Sequence, residues 1–101
     1  MPEFVEVAAV SDFKSGEAKT VEVNGLQIAL YNVNGKFYAS TNVCPHRSGP
    51  LGDGMLEGET ITCPMHGWQF NVKNGEYVVV PTIKIETYET KVENGKVFVR
   101  I

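Results

Sequence analysis

The chain has 101 residues, enough for one compact domain and too few for two. A hydrophobic content of 43% with 21% charged residues excludes a disordered tail. The net charge of −3, with no stripe of Lys and Arg, argues against nucleic acid as the partner.

In chain order, the first residues, Met1-Pro2-Glu3-Phe4-Val5-Glu6, lack the basic and apolar regions of a signal peptide. No run of ~18 apolar residues offers a membrane span, so a cytoplasmic protein without membrane contact is expected. The dipeptide Asn-Gly then sets the rhythm, at 24–25, 34–35, 74–75 and 94–95. Asn and Gly both tolerate the positive φ that a two-residue hairpin demands, which makes the pair the strongest short-range hairpin signal. Strand-like runs flank the copies. They are Thr20–Val23 and Leu26–Leu30 around the first, Lys36–Ala39 after the second, Glu76–Val80 after the third and Lys96–Ile101 after the fourth. In the last run Val97, Val99 and Ile101 share one face, with Lys96, Phe98 and Arg100 on the other.

No segment has a helical apolar stripe, so an antiparallel all-β domain is expected. The stretch from Asn42 to Gly58 breaks the rhythm, with glycines at 49, 52, 54 and 58 and prolines at 45 and 50, and reads as a loop. Thr60-Ile61-Thr62 reads as a strand leading directly into Cys63. A β scaffold thus presents two loops, as rigid scaffolds commonly do where function is carried.

Two cysteines alone are compatible with a disulfide or a pair of buried thiols. Their neighbours change the balance. The loops read Cys44-Pro45-His46-Arg47 and Cys63-Pro64-Met65-His66-Gly67-Trp68, and they contain every Cys and His of the chain. Cys₂His₂ suits a structural zinc ion, but zinc fingers pair like with like and place the histidines on a helix. Here each loop mixes the two ligand types. A dinuclear cluster, with each loop sending its cysteine to one iron and its histidine to the other, accounts for the mixture. A zinc-binding module remains the rival.

Cys-x-His, 16 intervening residues, then Cys-x-x-His resembles the ligand pattern of Rieske-type [2Fe–2S] proteins, in which two histidines replace two cysteines on one iron. The words Cys-Pro-His-Arg, Gly-Pro-Leu-Gly and Cys-Pro-Met-His-Gly-Trp-x-Phe match as well, and the resemblance spans essentially the whole chain. It implies a single Rieske domain over 1–101, an all-β fold built as a small antiparallel β-sandwich. Its tip is formed by cluster-binding loops at about 42–58 and 63–71. It also implies one [2Fe–2S] cluster, with Cys44 and Cys63 on the inner iron and His46 and His66 on the outer one.

Two ferric ions balance two sulfides and two thiolates, so such a cluster is formally neutral when oxidised and accepts an electron more readily than a dianionic four-thiolate cluster. Rieske centres accordingly span about −150 to +300 mV against roughly −400 mV for plant-type clusters. Respiratory Rieske proteins add a loop disulfide, and Ser and Tyr hydroxyls near the cluster sulfurs. This chain has no further cysteine, and Trp68 and Phe70 stand at the hydroxyl positions. The potential is therefore expected at the low end.

These features resemble the ferredoxin component of bacterial ring-hydroxylating dioxygenase systems. The implied role is that of a monomeric, non-catalytic one-electron carrier from a flavin-dependent NAD(P)H reductase to a terminal oxygenase. The small Rieske-like subunit of an assimilatory nitrite reductase is the near alternative. An oxygenase centre in the chain itself is not expected, because it needs two further histidines and a carboxylate. Among other residues, Gly52-Asp53-Gly54 reads as a flexible turn. Pro81 is either a cover of the cluster or a strand terminator. Trp68 is a core aromatic or a shield for the cluster. Arg47, Asp53, Glu57 and Glu59 are either solvated charges or contributors to partner steering.

Overall fold

The computed structural model describes residues 4–23, 25–42, 50–64 and 67–100. The described residues include ten strands: β1 (Phe4–Ala9), β2 (Ala18–Val23), β3 (Leu26–Val33), β4 (Lys36–Thr41), β5 (Met55–Glu57), β6 (Thr60–Thr62), β7 (Gln69–Asn71), β8 (Thr87–Tyr88), β9 (Thr90–Glu93) and β10 (Lys96–Arg100). Two single 3₁₀ turns, Val10–Asp12 and Leu51–Asp53, are the only helical pieces among them. All pairings are antiparallel, in sheets ordered β1-β10-β9, β2-β3-β4-β8 and β5-β6-β7.

Three of the Asn-Gly turns close two-residue hairpins. Val23 pairs with Leu26, Val33 with Lys36 and Glu93 with Lys96. At 34–35 the φ values are 52° and 89°, and at 94–95 they are 52° and 75°, the all-positive pair that matches the twist of the flanking strands. The fourth copy closes a wider loop. Asn71 N–H donates to Glu76 O, so residues 72–75 form the connection. The reason is Val72, whose side chain is drawn into the core and whose N–H bonds Glu59 O at 2.8 Å.

The run Glu76–Val80 is not the strand its composition suggests. Only single bridges form, Phe70 with Tyr77 and Glu76 with Lys84. The chain then folds back on itself through Tyr77 N–H to Ile83 O (2.8 Å) and Ile83 N–H to Val80 O (2.9 Å). Pro81 offers no N–H for a ladder. Val78, Val79 and Val80 therefore stay exposed.

From Ile28 to Val33 β3 is buried on both faces, so this part of its sequence is largely apolar without alternation. Ile28 and Leu30 face one core with Phe13, Val23, Phe37, Ala39, Val97 and Val99, which joins the first two sheets as a sandwich. Ala29, Tyr31 and Val33 face a second core with Leu51, Leu56, Ile61, Cys63, Phe70, Val72 and Ile85. Each large apolar side chain so buried contributes roughly 1.5–3 kcal/mol. Val97 and Val99 point inward as their alternation predicts, while Ile101 lies outside the described residues.

Candidate metal centre

The first loop is tied at its base by Asn42. This residue follows β4 and is 3% exposed. Its side-chain oxygen accepts the Gly52 N–H (2.7 Å) and the Thr20 hydroxyl (3.1 Å), and its carbonyl accepts the Leu51 N–H (2.9 Å). The two ends of the segment carrying Cys44 and His46 are thus held side by side. Cys44, His46 and Arg47 themselves lie outside the described residues.

Past this point the chain turns through Leu51–Asp53 and enters β5, so the range read as a loop to Gly58 carries a strand at 55–57. The Gly52-Asp53-Gly54 run is a packed turn rather than a flexible one. A Cβ on Gly52 would overlap Thr20, and one on Gly54 would overlap the Thr62 carbonyl oxygen. That second approach sets the first loop's base directly against the end of β6.

β6 delivers Cys63. Its N–H donates to Trp68 O (2.7 Å), and its carbonyl accepts the Gly67 N–H (3.1 Å), which closes the turn carrying the second motif. Gly67 has φ of 74°, a left-handed conformation that costs other residues roughly 1–2 kcal/mol. Met65 and His66 lie outside the described residues. The range 63–71, which the resemblance gives as the second loop, carries β7 at its end.

Cys63 is 2% exposed, forms no disulfide, and shares its core with Leu51 from the first loop's base. A cavity of about 530 Å³ opens beside it, between Asp53-Gly54-Met55 and Thr62-Cys63-Pro64. A buried, unpaired thiol at the meeting point of two pinned loops fits a thiolate ligand. Among the described residues no group of three or more His, Cys, Asp or Glu forms a metal site, and Cys63 is the one predicted donor they include.

Behind Cys63 stands an aromatic group. The Trp68 indole stacks on the Tyr77 ring with centroids 4.3 Å apart and planes within 3°, and Phe70 lies 5.4 Å from Tyr77 at a tilt. Phe70 is fully buried, and Trp68 is partly buried against the same core. Pro81 is exposed, in the turn between Val80 and Ile83. Asp53, Glu57 and Glu59 are exposed, and Glu59 pairs with Lys73 at 3.2 Å. Sequence reasoning passed over Asn42 and Tyr77. The position of Asn42 just before the Cys44-Pro45-His46 motif was the available signal for the first, and nothing marked the second.

A family model described as the Rieske [2Fe-2S] domain matches residues 3–89. The ferredoxin component of the naphthalene 1,2-dioxygenase system of Pseudomonas putida is 41% identical over 95% of this chain and 93% of its own length. Among solved structures, a chain from the complex of reduced oxygenase and oxidized ferredoxin in carbazole 1,9a-dioxygenase superposes with a TM-score of 0.88. It is 34% identical over 96% of this chain and 92% of its own. A putative NADH-dependent nitrite reductase small subunit from Mycobacterium tuberculosis reaches 0.90, covering 100% of this chain and 96% of its own, but at 20% identity it shares the fold alone.

Proposed function

The chain belongs to the Rieske [2Fe–2S] domain family, and from this we propose that it carries single electrons from a flavin-dependent NAD(P)H reductase to a terminal oxygenase. It is an electron carrier rather than a catalyst, and its cofactor is one [2Fe–2S] cluster. The observation that carries the pathway is the near end-to-end match to a dioxygenase ferredoxin component. The likeness to the nitrite reductase subunit is one of fold, so the oxygenase pathway is the better supported of the two.

In this reading Cys44 and Cys63 hold one iron and His46 and His66 the other, as one domain over 1–101 acting as a monomer in the cytoplasm. The bound cluster supplies a one-electron couple that changes charge without bond making in the protein. The chain's own residues do the rest. Asn42 fixes the entry and exit of the first loop. The bond from Cys63 N–H to Trp68 O fixes the second. Such rigid supports keep ligands in one geometry and limit reorganisation when the charge changes. His46 and His66, as the ligands of the second iron, would offer the electron a route to a docked partner.

Stopped-flow mixing tests the pathway. NADH with a catalytic amount of a flavin reductase from a ring-hydroxylating dioxygenase system is expected to bleach the cluster. Added oxidised terminal oxygenase is expected to restore its colour. A cluster that dithionite reduces but no such reductase reduces would overturn the assignment to this pathway.

A further inference from the structure

We propose that Tyr77 is a positioning residue for the cluster, acting through its stack on Trp68. The inference deepens the preceding reading, since it rests on Cys63 being an iron ligand. Trp68 is joined to the site at its backbone, because its carbonyl accepts the Cys63 N–H at 2.7 Å. Its ring is held by Tyr77, parallel and 4.3 Å away. Tyr77 is itself fixed on a separate piece of chain. Its N–H donates to Ile83 O (2.8 Å), and the next residue's N–H donates to Gln69 O (2.9 Å). The stack therefore clamps the turn that carries Cys63 onto the folded-back segment from Val78 to Ile83.

Two consequences follow from physical chemistry. A flat aromatic pair with one face on the other resists tilting, so the Trp68 backbone, and with it Cys63, stays in one orientation. Trp68 and Tyr77 also pack on the core that contains Cys63, which keeps water from the thiolate side. Water reaching the sulfur would donate hydrogen bonds and stabilise the reduced, more negative cluster. Removing the Tyr77 ring is thus expected to raise the midpoint potential and loosen the cluster, while the hydroxyl plays no part.

The test compares reconstituted wild type, Tyr77→Phe and Tyr77→Ala by redox titration and by the lifetime of the visible absorbance in buffer. Tyr77→Ala is expected to show a higher potential and roughly tenfold faster cluster loss, the scale on which supporting residues act at metal sites. Tyr77→Phe is expected to match wild type in both. If the Ala variant does not fold, Tyr77→Leu keeps an apolar side chain without the flat ring and is expected to show the faster cluster loss. An Ala or Leu variant with wild-type potential and lifetime overturns the proposal, as does a Phe variant as impaired as Ala. A wild-type protein that takes up no cluster sinks the electron-carrier reading itself, and the role of Tyr77 with it.

Discussion

Tyr31 shows how a single buried hydroxyl shapes the chain's response to pH. Its ring is fully buried on β3, and its hydroxyl lies 2.8 Å from the Ser40 hydroxyl, which also bonds Thr41 O. Burial pushes the phenol well above its ordinary value of 10.0, and the hydrogen bond shared with Ser40 offsets only part of this. Above pH 10 the unfolded chain therefore releases this proton while the folded chain keeps it. The contribution is fully present below the ordinary value and lost as pH rises toward the folded one, by up to about 1.4 kcal/mol per pH unit. Tyr31→Phe should cost about 1 kcal/mol at neutral pH, because Ser40 retains its bond to Thr41 O. Urea unfolding at pH 9 and pH 11 should show a smaller alkaline loss in the variant than in wild type. At the same scale, Cys63→Ser should abolish the cluster's visible absorbance while leaving the antiparallel circular dichroism in place. Nothing in the sequence distinguished Tyr31 from the other tyrosines, since its burial comes from β3 being covered on both faces.

At the scale of elements, the two loop bases stand on side chains that leave no slack. Asn42→Ala would leave the buried Gly52 N–H without its acceptor and should cost about 2–3 kcal/mol, read as a lower urea midpoint. Gly54→Ala would drive a methyl group into the Thr62 carbonyl and force β5 from β6. A loss of roughly 2–3 kcal/mol is expected, with poorer cluster retention because the next residue after Thr62 is Cys63. The hairpins around Gly25, Gly35 and Gly95 were legible because turn chemistry is local, and Asn-Gly dictates it within four residues. Strand β6 was legible from its own residues, since Thr60-Ile61-Thr62 is β-branched throughout. The failures lie where tertiary contacts overrule local preference. Val72 widens the turn at Asn74-Gly75 because the core takes its side chain. Val78–Val80 has strand composition but no neighbouring ladder to join. The short strands β5 and β7 were hidden in stretches read as loops because their pairing partner, β6, supplies most of what holds them.

Across the whole molecule, the architecture separates support from chemistry. The sandwich of the first two sheets forms one core, and the β5-β6-β7 sheet builds a second core beneath Cys63, with β3 shared between them. No helix among the described residues is long and apolar enough to cross a membrane. The mixed Cys-His spacing made the family readable from sequence, because ligand chemistry is written in residue types, whereas the supports are written in packing. The same scale fixes the expected potential. Trp68 and Phe70 carry no hydroxyl, so neither position offers one to a cluster sulfur. A redox titration should place the midpoint near the low end of the Rieske range, at about −150 mV, and a clearly positive value would contradict this. The most direct measurement of the central claim is the ultraviolet–visible and EPR spectrum of the purified protein before and after dithionite. A red-brown protein that bleaches and gives a rhombic signal with average g below the free-electron value is the predicted result. A colourless, EPR-silent protein, even after reconstitution with iron and sulfide, would contradict the account and turn the site over to zinc.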